Sequence, residues 1–585
     1  MIKEKKFNVK KLTFFLTLII YGIYQNYLVL LGGTTWDEPG LILSASKQIY
    51  KAYLFIVDPN NAALENFVRP EFYGGLLSIP AYLATDFAAI VQIFSRLFSY
   101  TELVNHINEL EIALIIRHTV LNLYVILVLI FLYFKIKIDF GVNRAVLTIL
   151  ILLLIPSFNG HSLFNFSDIP LGMQLFVSSV FFISYLNNFD NRSNLILGIL
   201  FGLTLLTRIN AIVFLSFLPL FEFLQSFMLK RKYRFGKIYK KLFLKYLKIY
   251  STAIFIFIIG TPPLWKNPIY FLKEAYIVQF RHPNNVPSLL NGKEIFAYEA
   301  PRTYLIEWFT YRLPLGFIIL FLISCGLYFF VGEYRENSLF SYSLFFIFLV
   351  NLSFILYNPV AYDGIRHYLF LLPFFSIVVA ELFDYAIKKN KKTGNTIFVI
   401  FVIYMIMTQF GLGAYKYVYL NELVQKENIS EECEEYVAQS GCGDWATDYW
   451  GFGGKELFNK SKSYNQSVLY FCPPHFTYSL FQESEKPWSL INGDFVFDDS
   501  YPFQTDEVFY YQSDMLAHIN EKEFQSIEFL SFNYHRPPGD ACGLKSLDKN
   551  KFDIYCEVID GVKVKLRGDE IPINYLSKCL VEKIN

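Results

Sequence analysis

The stretch LTFFLTLIIYGIYQNYLVLLGGTTWDEPG, residues 12–40, decides how the rest of the chain is interpreted. Its part 12–32 is an apolar run long enough to cross a bilayer, because about 30 Å of hydrocarbon needs roughly 20 helical residues. Directly after the run come Gly32-Gly33 and then the adjacent acids Asp37-Glu38. A membrane helix followed at once by two carboxylates predicts a polar site at the membrane surface.

Ten further apolar runs follow along the chain, so the sequence predicts eleven transmembrane helices. The chain of 585 residues is 54% hydrophobic and only 18% charged. A soluble protein usually has about 25% charged residues, and a disordered chain needs low hydrophobicity, so both classes are excluded. The eleven runs lie near residues 12–32, 112–134, 145–160, 168–186, 195–207, 209–227, 246–261, 313–331, 340–357, 366–386 and 396–413.

The net charge of +1 conceals two unlike parts of the chain. Residues 1–413 have 36 Lys/Arg and 23 Asp/Glu, a balance of +13, whereas residues 414–585 have 16 and 28, a balance of −12. The basic N-terminus and the loops containing KRKYRFGKIYKK (230–241) and KKNKK (388–392) predict cytoplasmic segments. Eleven spans then place the C-terminus outside. A cleaved signal peptide over residues 1–33 is the alternative, but no A-x-A site precedes Gly32-Gly33.

This division predicts two domains, a transmembrane domain over 1–413 and an extracytoplasmic domain over 414–585. The second holds six of the seven cysteines, which indicates disulfides in an oxidising compartment; buried free thiols are the alternative. We expect an α+β fold there. Its strand-like runs are Val468–Phe471, Glu507–Tyr511 and Phe552–Val558, and its turn signals are Asn492-Gly493 and Asp560-Gly561.

The acids Asp37 and Glu38 have two interpretations. Pro39 suits the first turn of a helix, and the apolar positions that follow, such as Leu41, Ile42 and Ala45, predict a helix lying on the membrane surface. The acids could simply cap that helix. Alternatively, one of them is a general base at the lipid–water boundary.

A second group of charged residues falls on the same predicted outer side. Asp168 begins the fourth span, and either caps that helix or belongs to a site. Arg208 lies between the fifth and sixth spans, where the positive-inside rule expects no cation, and Arg366 and His367 open the tenth span. Carboxylates that activate a nucleophile and cations that hold an anionic leaving group are what a phosphate-linked donor requires.

The sequence lacks the motifs of several other classes of enzyme. The chain has no P-loop, no GxGxxG after a strand and no HExxH, so nothing indicates a nucleotide-driven reaction. A divalent metal ion remains a possible cofactor, since His161, His282 and His367 could be ligands or polar loop residues. No nucleic-acid partner is expected.

Beyond these patterns, the chain resembles the GT-C membrane glycosyltransferases, in particular the glycosyltransferase family 39-like branch of protein O-mannosyltransferases and aminoarabinose transferases. The resemblance covers residues 12–455. It rests on short motifs in family order: WDEP (36–39), NFSDIP (165–170), GLTLLTR (202–208), WKNP (265–268), DGIRHY (363–368), YVYLNE (417–422) and TDYWG (447–451).

The resemblance implies roles for the acids and cations. Asp37 would deprotonate the acceptor hydroxyl, with Glu38 in support, and Asp168 would orient acceptor, donor or metal. Arg208 would contact the lipid phosphate, with Arg366 and His367 as weaker candidates. Where relatives often have His-Pro-Pro this chain has Arg69-Pro70-Glu71, so a role resting on that histidine is in doubt.

The expected function is therefore sugar transfer, with inversion, from a polyprenyl-phosphate donor to a lipid, glycan or protein acceptor outside a bacterial inner membrane. Two other classes of protein are the alternatives. A lipid or polysaccharide transporter would show paired acidic and basic residues in mid-span. A membrane-anchored binding protein would leave Asp37-Glu38, Asp168 and Arg208 without a role.

Overall fold

The protein is mainly helical, with a small sheet in its C-terminal part. The computed structural model describes residues 9–33, 35, 38–61, 64, 74–85, 110–186, 190–228, 235–280, 287–425, 445, 447–448, 451–461, 463–464, 468–471, 489–491, 494–496, 507–509, 526–534 and 550–584.

The helices of the N-terminal part follow the apolar runs of the sequence. Each of the eleven predicted runs overlaps a helix in these ranges. The helices are α1 (Val9–Leu31), α2 (Glu38–Val57), α3 (Ser78–Thr85), α4 (Leu110–Phe140), α5 (Val142–Leu154), α6 (Pro156–His161), α7 (Asp168–Ser184), α8 (Asn191–Leu205), α9 (Ala211–Met228), α10 (Phe235–Ile259), α11 (Pro268–Phe280), α12 (Tyr304–Arg312), α13 (Leu315–Phe330), α14 (Gly332–Glu336), α15 (Ser338–Tyr357), α16 (Leu372–Lys389), α17 (Lys391–Gln409) and α18 (Gly454–Ser461).

Within the described ranges, five helical segments are long and apolar enough to cross a membrane. They are Phe14–Leu31, Leu114–Phe140, Lys240–Ile259, Ser338–Tyr357 and Arg366–Lys389. The pair α12 and α13, bent by 119°, is a sixth if it forms one span, and α5, α7 and part of α9 are shorter apolar helices. The prediction of an integral membrane protein is confirmed; the number of eleven spans and their orientation stay predictions.

The third predicted run is two helices rather than one. Proline disfavours a helical conformation in the residue before it, and Ile155, before Pro156, is accordingly extended (φ −75°, ψ 117°). The run therefore breaks after Leu154, and the short helix α6 leads the chain towards Asp168.

Helix α2 forms as its apolar spacing predicts. Leu41, Ile42 and Ala45 are buried, and the last two pack with Tyr82 of α3. The helix thus packs against α3 through one apolar face. Glu38 is its first residue.

The C-terminal part contains a mixed five-stranded sheet, as the α+β prediction requires. Its strand order is β6-β3-β7-β9-β8, with β3 parallel to β6 and β7 and the long β8–β9 hairpin antiparallel. The strands of the chain are β1 (Pro287–Leu290), β2 (Lys293–Phe296), β3 (Val468–Phe471), β4 (Ser489–Ile491), β5 (Asp494–Val496), β6 (Glu507–Phe509), β7 (Ser526–Tyr534), β8 (Phe552–Leu566) and β9 (Asp569–Lys583).

Two of the six cysteines in the C-terminal part form a disulfide. Cys556 and Cys579 are opposite each other in the β8–β9 hairpin and are bonded. The other four cysteines of this part, Cys433, Cys442, Cys472 and Cys542, lie outside the described residues. The disulfide prediction is thus met for this pair and stays a prediction for the rest.

One of the two predicted turns is wrong. Asp560-Gly561 lies inside β8, at a shift of register where the strand bulges against β9. The chain turns instead at Arg567-Gly568, which both have positive φ. Pairing along the whole hairpin overrides the local turn preference of Asp-Gly.

The segment after α17 packs onto the C-terminal end of α12. Arg312, at the end of α12, donates from Nη1 to the carbonyl oxygens of Tyr417 (2.9 Å) and Tyr419 (3.1 Å). Asn421 donates from Nδ2 to the carbonyl of Leu313 (2.8 Å). These bonds join the beginning of the predicted second domain to the first; the boundary at 413/414 stays a prediction.

Candidate active site

Glu38 is held in a fixed position at the start of α2. It is fully buried, and its Oε2 accepts a hydrogen bond from the Thr35 backbone N–H at 2.7 Å. Its Oε1 lies 2.7 Å from Nε2 of His118, which is also buried. Burial alone would raise the pKa of Glu38, but His118, Arg117 and the Thr35 N–H outweigh it, so that the pKa lies below its ordinary value. Glu38 is therefore a carboxylate whose oxygens are already bonded.

Asp37, the residue predicted to be the base, lies outside the described residues. Thr35 and Glu38, which are described, are both buried. They bond to each other, the carbonyl of Thr35 accepting from Glu38 N and the side chain of Glu38 accepting from Thr35 N.

Arg117 and His118 are site candidates that the sequence interpretation missed. Arg117 is buried, and none of its three guanidinium nitrogens has a hydrogen-bond partner in the described part of the chain. Its guanidinium carbon lies 4.9 Å from the centroid of the Phe166 ring. A signal for both was available, since they are basic residues near the outer end of the second apolar run, where the positive-inside rule expects none.

Asp168 is the centre of a buried charged cluster, with 1% of its side chain exposed. Arg208 Nη1 lies 2.9 Å from Asp168 Oδ1, and Arg366 Nε lies 3.6 Å from Asp168 Oδ2. His367 Nδ1 is 4.0 Å from Asp168 Oδ1 and 3.5 Å from Arg208 Nη1. The structure therefore brings together four of the predicted site residues. The first of them, Asp168, and the last, His367, are 199 positions apart in the sequence.

Asp168 does not cap helix α7, although capping was the alternative to a site role. Asn165 does so: its Oδ1 accepts from the backbone N–H groups of Ser167 (3.2 Å) and Asp168 (2.8 Å). Asn165 also donates from Nδ2 to Asp168 Oδ2 at 3.0 Å. Asp168 is thus oriented by a neighbour and directs its carboxylate at the two arginines.

Two tight turns position those arginines. Arg208 lies in the connection between α8 and α9, and Nη2 of its guanidinium donates to Ser167 Oγ at 3.3 Å. Arg366 begins a 3₁₀ turn that leads into α16, after Asp363 and Gly364, which both have positive φ. Asp363 accepts from Arg366 Nη1 at 3.0 Å. The cluster therefore contains two arginines and two aspartates.

His161 lies beside this cluster as a neutral side chain. It is 1% exposed, and Nδ1 lies 3.4 Å from Asn165 Nδ2. Burial lowers the pKa of His161 to about 3, with Arg366 and Arg312 acting in the same direction and Asp168 opposing them. His282, the second histidine considered as a ligand, lies outside the described residues. No three His, Cys, Asp or Glu side chains in the described ranges are placed to hold a metal ion.

Phe166 links the Glu38 group to the Asp168 cluster. It is two residues before Asp168, and its ring contacts both Arg117 and His118, the latter at 6.2 Å between ring centroids. The acids and cations of the two groups thus adjoin one another on either side of segment 165–168.

The C-terminal part also reaches this region through Phe452. Its carbonyl accepts from Gly33 N at 3.1 Å, and its ring lies 6.2 Å from that of His118. A Cβ at Gly32 would lie 1.9 Å from the Phe452 ring, so any other residue there would require that buried ring to move. The turn after α1 is therefore covered by residues from the far end of the chain.

Residues 101–264 match the family model described as dolichyl-phosphate-mannose-protein mannosyltransferase. The matched range includes Arg117, His118, Asp168 and Arg208. This match confirms the resemblance to the GT-C membrane glycosyltransferases. None of the curated proteins matches the sequence.

The fold is also similar to that of solved membrane proteins, at low sequence identity. ArnT from Cupriavidus metallidurans bound to undecaprenyl phosphate has a TM-score of 0.46 at 10% identity, covering 97% of each chain. For its apo state the TM-score is 0.39 at 10% identity, over 64% of this chain and 60% of that one. Oligosaccharyltransferase AglB from Archaeoglobus fulgidus gives 0.40 at 12% identity, over 71% and 57%.

Proposed function

We propose that the protein is a membrane glycosyltransferase that transfers a sugar from a polyprenyl-phosphate donor to an acceptor on the extracytoplasmic face. The observation that supports it most is the buried cluster in which Arg208 and Arg366 flank Asp168, adjoining Glu38 and its turn. The family description names a donor of this class, a dolichyl-phosphate sugar.

The arginine pair suits the leaving group of such a reaction. A guanidinium has five N–H donors in a planar fork that matches phosphate oxygens. Arg208 uses Nη1 towards Asp168 and Nη2 towards Ser167, while its Nε has no hydrogen-bond partner in the described part of the chain. Asp168 would hold the guanidinium in place, and the remaining donors would stabilise the negative charge that develops on the departing phosphate.

Asp37 is the proposed general base. Glu38 already bonds to Thr35 and His118, which suits a supporting role better than proton transfer. In the proposed step the acceptor hydroxyl oxygen attacks C1 of the sugar and Asp37 takes its proton. The bond from C1 to the phosphate oxygen breaks with its electron pair going to the phosphate, and attack opposite the leaving group inverts C1.

Replacement of Asp37 by asparagine tests this assignment. A general base contributes about 10²–10⁴-fold to the rate, so Asp37→Asn should lose nearly all transfer while the protein still inserts into the membrane. The measurement is sugar transfer by the purified full-length protein with a panel of polyprenyl-phosphate sugars. Asp58→Asn, an exposed acid at the end of the same outer helix, is the matched control and should retain full activity. Transfer by Asp37→Asn at the rate of the control would overturn the proposal.

A further inference from the structure

A cavity of 410 Å³ lies between α1, α5 and α17 and shares no lining residue with the Asp168 cluster. Its walls are apolar, with Leu150 and Leu153 on one side and Ile406 on another. Ile406 and the adjacent Phe410 are about half and three-quarters exposed on the outside of the helices, at 49% and 74%. The cavity thus opens between helices onto the apolar surface that faces lipid.

One end of the cavity is polar, and its side chains have a fixed arrangement. Gln409 donates from Nε2 to the carbonyl of Leu154 at 2.7 Å, so its Oε1 accepts from Asn159 Nδ2 at 3.1 Å. Asn159 therefore presents its Oδ1, which accepts from Gln25 Nε2 and, at 3.4 Å, from Lys416 Nζ. Asn159 and Gln409 are held by this chain of bonds, whereas Oε1 of Gln25 has no hydrogen-bond partner among the described residues.

Lys416 also lies at this end, as a buried amine without an ion-pair partner among the described residues. It is 3% exposed, and its Nζ lies 3.4 Å from Asn159 Oδ1. Its other contact is the ring of Tyr24, whose centroid is 4.4 Å from Nζ. An ammonium has three donors, and among the described residues Lys416 uses one of them, weakly, on Asn159. Burial lowers the pKa of Lys416 to about 7, which a bound anion would reverse.

We propose that this cavity binds an anionic phospholipid of the surrounding bilayer, with its phosphate on Lys416 and an acyl chain along Leu150, Leu153 and Ile406. A phosphate oxygen would supply the missing counter-charge and accept the free ammonium donors. The volume lies within the range of about 300–1,000 Å³ that is usual for small-molecule sites. The proposal does not depend on the proposed function, because none of the Asp168 cluster takes part.

The location suggests what the lipid does. Tyr24 belongs to α1, Leu150 to α5 and Ile406 to α17, so a bound lipid contacts three helices at once. Glu38 begins α2, the next helix after α1 in the chain. The lipid would therefore hold α1, and with it the start of α2, against the rest of the membrane part.

Native mass spectrometry of the purified full-length protein tests the proposal, with phosphatidylglycerol, phosphatidylcholine or inorganic phosphate added in separate titrations. We expect one phosphatidylglycerol to bind more tightly than phosphatidylcholine and inorganic phosphate not to displace it. Lys416→Met should weaken phosphatidylglycerol binding about tenfold or more, the loss expected for one charge-assisted hydrogen bond. Lys563→Met, which removes an exposed lysine of β8, is the matched control and should bind as the unchanged protein does.

A second variant keeps the test valid if Lys416→Met does not fold. Leu150 is partly exposed on the cavity wall, so Leu150→Trp fills the space for the chain and leaves Lys416 in place. It should also weaken phosphatidylglycerol binding about tenfold. Binding that is the same in both variants as in the control, or that inorganic phosphate abolishes, would overturn the proposal.

Discussion

At the level of single residues, the carboxylate of Asp168 faces two guanidinium groups, so the positive charges next to it outnumber its own charge. Buried charges are costly unless they are paired, and removal of one partner leaves the other uncompensated. Asp363 restores the balance by pairing with Arg366, so that Arg208 depends on Asp168 alone for a carboxylate among the described residues. Arg208 is thus the cation of the cluster whose replacement perturbs the others least.

Arg208→Ala should weaken the use of the polyprenyl-phosphate donor. We expect its KM for the donor to rise about tenfold or more, because a charge-assisted hydrogen bond to phosphate is lost. The measurement is initial rates of sugar transfer against donor concentration, with acceptor saturating. Arg302→Ala, at an exposed arginine before α12, is the control. A KM for the donor equal to that of the control would show that Arg208 does not bind the donor.

His161 predicts a pH dependence of stability. Its pKa of about 3 in the folded protein lies below the ordinary value of 6.5, so the unfolded chain binds the extra proton first. The contribution of neutral His161 to the free energy of unfolding is present above pH 6.5 and is lost as the pH falls towards 3. At pH 5 the loss should be about 2 kcal/mol, since one pKa unit corresponds to about 1.4 kcal/mol. Thermal melting at pH 5 and 7 measures it, and His161→Asn should show a smaller drop than the unchanged protein. Equal drops would contradict this account.

At the level of elements, a buried ion pair joins α9 to α10. Lys245 Nζ lies 2.9 Å from Oε1 and 3.0 Å from Oε2 of Glu222, and Tyr246 donates its hydroxyl to the same carboxylate. Both charged side chains are 1% exposed. Such a pair specifies which faces of two neighbouring helices meet, although a pair of apolar residues could be as stable.

Glu222→Ala should therefore destabilise the protein more than replacement of the whole pair. Removal of one partner of a buried ion pair costs about 3–5 kcal/mol, because the other charge stays buried. We expect the melting temperature in detergent to fall for Glu222→Ala and to recover in the double variant Glu222→Leu with Lys245→Met. Lys388→Met, at a half-exposed lysine of α16, is the control. A double variant no more stable than Glu222→Ala would show that the pair is not the cause.

At the level of the whole molecule, Asp448 joins three distant parts of the chain. Its carboxylate accepts from the Tyr417 hydroxyl, from the backbone N–H groups of Phe452 (3.0 Å) and Gly453 (2.9 Å), and from Asn574 Nδ2 of β9 (2.7 Å). The β8–β9 hairpin is thereby tied to the segment that lies on the membrane helices. The same tie positions Phe452 beside Gly33 and His118.

Asp448→Ala should loosen the C-terminal hairpin and lower activity together. Four donors lose their acceptor in a buried place, and each unsatisfied group costs about 1–3 kcal/mol. We expect faster amide hydrogen exchange in β8 and β9, with sugar transfer reduced although the protein still inserts. Asp553→Ala, at an exposed acid of β8, is the control. Exchange in Asp448→Ala that is as slow as in the control would refute the coupling.

The helices and the candidate charges were predictable from the sequence because both depend on local composition. An apolar run of about 20 residues forms a helix in lipid wherever it occurs, since the backbone has no other way to satisfy its hydrogen bonds. Acids and cations between such runs were visible as exceptions, and Asp168, Arg208, Arg366 and His367 do converge. Arg117 and His118 were missed because they lie within a run that was interpreted only as a span.

What the sequence determined by itself was the class of the protein: the order of its helices, the acids and cations at their ends, and the family that they resemble. Only the tertiary structure decided which of these residues meet. It bonded Glu38 to His118, left Arg117 without a hydrogen-bond partner among the described residues, and buried Lys416 at the end of a lipid-facing cavity. It also moved the turn of the C-terminal hairpin from Asp560-Gly561 to Arg567-Gly568. The reason is that helix formation depends on near neighbours, whereas ion pairs, cavities and strand register depend on packing between residues far apart in the chain.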